Sequence, residues 1–79
     1  MNPARVEVFV EPFRENDPGP HVTAAVSALE DAELSTDMGP FATVATGELD
    51  DVIGAVTVLL RSSFAAGADA IQLRIERGS

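Results

Sequence analysis

The sequence predicts an α+β domain in which strand, helix, strand, strand, helix and strand follow one another. Three observations carry that expectation. The first and last apolar segments alternate with a period of two residues, the pattern of half-buried strands. Two intervening segments repeat apolar residues at spacings of three and four, the pattern of amphipathic helices. Between those helices runs a short stretch rich in Thr and Val, interrupted by Gly39-Pro40, as in a hairpin.

The elements follow in order. From Arg5 to Glu11, Val6, Val8 and Val10 alternate with Arg5, Glu7, Phe9 and Glu11, and Pro12 ends the strand. Phe13 to Pro20 reads as a loop of Pro, Gly, Asn and Asp. Asp17-Pro18 suits a helix start, because Asp can cap free N–H groups and Pro fits the first helical position. Val22, Ala25, Val26 and Leu29 then mark one helical face. Glu30, Asp31 and Glu33 oppose the helix dipole, so the helix should fray after about Ala32.

Leu34 to Met38 forms a weaker strand, with Leu34, Thr36 and Met38 on one side, and Phe41 to Thr46 forms the next. Thr46-Gly47-Glu48 opens the second helix, with Glu48, Asp50 and Asp51 in its first turn. Its apolar stripe is Leu49, Val52, Ile53, Val56, Leu59, Leu60 and Phe64. Gly54 is an internal flaw of about 1 kcal/mol, and Gly67 is a natural stop. Asp69 to Arg77 closes the chain as a strand, with Ile71, Leu73 and Ile75 on one side and Gln72, Arg74 and Glu76 on the other.

This order packs as a ferredoxin-like βαββαβ domain, a four-stranded antiparallel sheet with two helices on one face. The helices should cover Val6, Val8, Val10, Ile71, Leu73 and Ile75. The open face should carry Glu7, Phe9, Glu11, Gln72 and Arg74, with Phe41 and Thr43. A face with aromatics among charges is the natural place for a second subunit, a ligand, or both.

Composition narrows the function. Seventy-nine residues make one domain, 1–79, with no linker or low-complexity segment. So short a chain holds a core good for about 3–5 kcal/mol. Small domains supplement that with disulfides, metals or partners. Cys is absent and His21 is the sole His, so disulfides and a structural zinc are excluded and association remains. The absence of Cys fits a reducing cytoplasm. No signal-peptide pattern is expected, and no apolar run reaches the roughly 18 residues that a membrane span needs. Five Arg, no Lys and thirteen Asp plus Glu give a net charge of −8, which repels nucleic acid and attracts cations.

Catalytic patterns are sparse. Ser62, His21 and Asp51 could be combined on paper, but no nucleophile elbow supports a triad. The glycines form neither a dinucleotide nor a phosphate loop. Asp50-Asp51 and Glu30-Asp31 read as solvated helix faces, and His21 as a residue of the first helical turn. Phe9 and Phe41 are either interface packing or a stacking platform for a flat heterocycle. Glu7 and Glu11 could meet a cationic ligand, and Glu7 could instead pair with Arg74 across the sheet. The Thr43 hydroxyl could hydrogen-bond a ring nitrogen, or Thr43 could be a plain strand residue.

The stretch from Met38 to Val52 resembles the hairpin and second-helix start of the small thiamine-binding, YkoF-like family. In that family a Pro-Met-Gly-Thr segment precedes a Glu-Gly pair and an acidic helix start. Pro40, Thr43, Gly47 and Val52 keep the pattern, while Phe41-Ala42 stands where the family has Met-Gly and Thr46 replaces the Glu. Val22, Val26 and Leu29 in the first helix and Ala66-Gly67 before the last strand also fit. The resemblance implies a ferredoxin-like fold and homodimers or homotetramers joined through sheets. It also implies binding of thiamine or its hydroxymethylpyrimidine part, without catalysis and without a further cofactor. On that reading Phe9 or Phe41 stacks on the ring, Thr43 bonds to it, and Glu7 or Glu11 meets the cation. The alternatives are an oligomerisation module without a ligand, and a small dimeric enzyme of the same fold.

Overall fold

The computed structural model describes residues 2–12, 19–39 and 42–78. The elements are β1 (Pro3–Glu11), α1 (Pro20–Asp31), β2 (Ser35–Met38), β3 (Thr43–Glu48), α2 (Leu49–Ala65) and β4 (Ala70–Arg77). The strands lie in the order β2-β3-β1-β4, and every neighbouring pair is antiparallel. This is the expected ferredoxin-like architecture.

β1 is central because it alternates most regularly. Ala4, Val6, Val8 and Val10 are buried beneath the helices, while Arg5, Glu7, Phe9 and Glu11 are half-buried on the opposite face. The β1–β4 ladder is continued at both ends by Asp69 N–H donating to the Glu11 carbonyl and Gly78 N–H donating to the Pro3 carbonyl, each at 2.8 Å.

Helix α1 begins at Pro20 with Gly19 as its N-cap residue, so Pro20 holds the first-turn position. Asp17 and Pro18, the expected start, lie outside the described residues. The helix ends at Asp31, as its acidic terminus predicts. Its buried row is Val22, Ala25, Ala28 and Leu29.

Helix α2 starts later than the sequence suggests. β3 continues through Gly47 and Glu48, and Glu48 takes the N-cap position in extended conformation. Tertiary pairing wins over the local helix signal there. The Glu48 carboxylate accepts the Asn2 backbone N–H at 2.9 Å, and Leu49 N–H donates to the Asn2 carbonyl at 2.7 Å. The chain just ahead of β1 therefore satisfies a free N–H of the helix. Gly67 follows the C-cap residue with φ +114°, the left-handed stop expected of it.

Two expectations about coverage need correction. The buried row of α2 is Val52, Ala55, Val56, Leu59 and Ser63, whereas Ile53, Leu60 and Phe64 are exposed. The seven-residue stripe was wider than one packing face can be, and its outer half points to solvent. Likewise, Leu73 and Ile75 lie on the helix side of the sheet but are each 37% exposed. Their strand is at the sheet edge, where α2 covers it only in part.

Candidate functional site

The open face is built by register. β1 places Glu7 opposite Arg74 of β4 and Val44 of β3, and it places Phe9 opposite Gln72. Directly opposed residues of antiparallel strands share a face, so these side chains stand together. Glu7, Phe9, Ala42, Gln72, Leu73 and Arg74 line an open groove of about 240 Å³.

Charge in and beside this groove is organised by arginines. Arg5 Nη1 lies 3.2 Å from Glu7 Oε2 and 3.5 Å from Glu76 Oε1, and Arg74 Nη1 lies 3.2 Å from the same Glu76 oxygen. The expected Glu7–Arg74 neighbours are therefore in register, but the ion pair of Glu7 is with Arg5 on its own strand. Partly exposed pairs of this kind contribute little stability, about 0–1 kcal/mol each. Their effect is orientation: they hold carboxylate and guanidinium groups side by side along the groove. Glu11 makes no ion pair among the described residues.

The sequence-predicted residues divide. Glu7 and Phe9 meet at the groove, and Glu11 shares their strand face near the β1 end. Phe41 lies outside the described residues. Thr43 does not belong to the open face. It pairs with Val8, so it points under the helices and is 7% exposed. Reading the strand from its sequence alone gave Thr43 the wrong side relative to β1. Val44 and Ala42 occupy the open side instead. Gln72 and Arg74 were assigned to this face from the sequence but not to a site; the cross-strand register supplies their place.

His21 is engaged elsewhere. Its Nε2 donates to the Pro12 carbonyl, tying the end of β1 to the first turn of α1. Gly47, which keeps the family pattern, acts in packing: a Cβ there would lie 2.5 Å from Leu34 Cδ2. Among the described residues, no three His, Asp or Glu side chains are grouped to hold a metal ion. Nor is any described helix long and apolar enough to cross a membrane.

A family model described as thiamine-binding protein matches residues 6–78. The chain belongs to the thiamine-binding protein family. Solved structures give the same fold at low identity. A domain of unknown function from Bacillus cereus superposes with a TM-score of 0.73 at 21% identity, covering 100% of this chain and 78% of that one. A Thermotoga maritima protein, proposed to act in thiamine biosynthesis or salvage, superposes with a TM-score of 0.71 at 19% identity, covering 98% and 83%. An acylphosphatase from Coxiella burnetii gives 0.62 at 15% identity, covering 95% and 82%. At these identities the likeness is one of fold. No curated protein sequence matches this member of the thiamine-binding family at a significant level.

Proposed function

We propose that this family member is a non-catalytic binding protein for thiamine or its hydroxymethylpyrimidine part, working in the cytoplasm as a homodimer or homotetramer. One observation supports this reading above the others: an aromatic ring and a carboxylate, Phe9 and Glu7, line the same open-face groove. Thiamine joins a flat pyrimidine to a ring with a fixed positive charge. The Phe9 ring offers a stacking surface, Glu7 offers the counter-charge, and Gln72 offers both donor and acceptor groups to a pyrimidine edge. Thr43 has no part in this version of the site, because it lies under the helices.

Calorimetry with both ligands tests the reading. Thiamine and hydroxymethylpyrimidine should each give a saturable heat. Phe9→Ala should weaken both about tenfold or more, the scale of one lost stacking contact. Glu7→Gln should weaken thiamine several-fold and leave the uncharged pyrimidine nearly unchanged. Absence of heat with either ligand at millimolar concentration removes the proposal.

A further inference from the structure

The open face continues past the groove toward β2. Directly opposed residues of antiparallel strands share a face, so the register sets side chains in rows that cross the sheet. Gln72 stands beside Phe9 in one row. The next row runs from Arg74 through Glu7 and Val44 to Asp37. It is basic at its β4 end and acidic at its β2 end, with the half-buried Val44 between its two carboxylates.

Those carboxylates are not equivalent. Glu7 is already engaged by Arg5 at 3.2 Å. Asp37 is exposed and makes no ion pair among the described residues. The row on the other side of Glu7 is Glu76, Arg5, Thr46 and Ser35, so its charges also stand on β4 and β1 and none stands on β3 or β2. The arginines of this face among the described residues are therefore both remote from Asp37. β1 itself lies two strand spacings from β2, about 9–10 Å. A positive charge entering this row is repelled at the Arg74 end and attracted at the Asp37 end. Val44 gives it an apolar floor about 5 Å from the strand on either side.

We propose that Asp37 is the residue that sets this groove's specificity for a cationic heterocycle. The positive ring sits over Val44 between Asp37 and Glu7, and the uncharged ring sits over Phe9 beside Gln72. The assignment rests on the open-face groove being the ligand site. Val44 lies one strand across and two residues along from Phe9, about 8 Å away, within the reach of two rings joined through one carbon. Asp37 carries the larger share of the recognition because its charge is unopposed, whereas that of Glu7 is offset by Arg5. A charge on a short edge strand also discourages strand pairing, but that role requires nothing of a ligand, and the two are separable by measurement.

Calorimetry on the full chain with thiamine, with hydroxymethylpyrimidine, and with the thiophene analogue of thiamine tests it. The analogue keeps the shape of thiamine and lacks its charge. The parent should bind thiamine about tenfold or more tightly than the analogue, on the scale of unit charges about 4 Å apart near a protein surface. Asp37→Asn, of equal shape and no charge, should bring those two affinities within about threefold. It should leave the analogue and hydroxymethylpyrimidine within about twofold of their parent values. Asp37→Glu should restore the preference, and Glu7→Gln should narrow it only several-fold. If Asp37→Asn keeps the full preference for thiamine, or weakens all three ligands alike, the assignment of Asp37 is overturned and the groove remains a ligand site. A parent that binds thiamine and its analogue equally also overturns it. A parent that gives no heat with any of the three removes the ligand site itself, and this assignment with it.

Discussion

Val6 and Val8 of β1 and Ile75 and Leu73 of β4 face one another in pairs across one ladder, on the same side of the same sheet. The two strands carry the same alternation. Yet the valines are buried at 0% and 2% exposure, while their partners remain more than one-third exposed. Alternation decides which side of a sheet a residue joins. The strand order and the width of the helical layer decide how deep it sits. β1 lies at the centre beneath both helices, whereas β4 lies at the rim, touched on this side mainly by α2.

The largest effect that could break this comparison comes from truncating matched leucines. Leu59 of α2 is completely buried over the centre, and Leu73 is at the rim. Leu59→Ala should cost about 2–5 kcal/mol, the range for buried leucines. A small domain holds about 3–5 kcal/mol in total, so this variant should be largely unfolded by circular dichroism. Leu73→Ala should cost about 1 kcal/mol. Equal losses for the two leucines would mean that rim and centre are equally packed.

That contrast also explains how much was legible in the sequence. Element order, β1, β4 and the span of α1 after its first turn followed from periodicity, because period and face are local properties. Glu7, Phe9, Gln72 and Arg74 were correctly placed on one face for the same reason. The errors arose where a second element was needed. Thr43 was given to the open face because β3 carries no regular alternation, and only its pairing with Val8 fixes its side. The start of α2 was placed too early because Thr46-Gly47-Glu48 has helix-start chemistry, while the ladder to β1 holds those residues extended. Ser63 was left off the packing row for its polarity. It lies one turn beyond Leu59, fully buried, with its hydroxyl unpartnered among the described residues. The exposed stripe of Ile53, Leu60 and Phe64 was merged with the core because a helix with two apolar flanks reads as one wide stripe. The ligand came from resemblance, since no spacing in the chain encodes it.

A smaller effect sharpens the comparison on the covered side. Gly47 of β3 pairs with the buried Ala4 and leaves room for Leu34, so a methyl group there must push the leucine aside. Gly47→Ala should cost about 1–3 kcal/mol, the range for overpacking, seen as a lower urea midpoint with an unchanged slope. A neutral outcome would show that Leu34 can rotate away, and that the centre is looser than its burial suggests.

The smallest effect has the opposite sign and comes from the uncovered side. Gly54 lies in the interior of α2, and an added Cβ would meet nothing within 4 Å. There the cost of glycine in a helix is unopposed by packing, so Gly54→Ala should raise stability by about 1 kcal/mol. In a domain of this size that shifts the thermal midpoint upward by about 4–8 °C. The two glycines form a matched pair: one methyl group added under the helical layer and one added at its outer surface. If Gly54→Ala instead destabilised the chain, the groove between α1 and α2 that Gly54 helps to line would have to close tightly in solution. The helical layer would then be as finely packed at its outer surface as it is over β1.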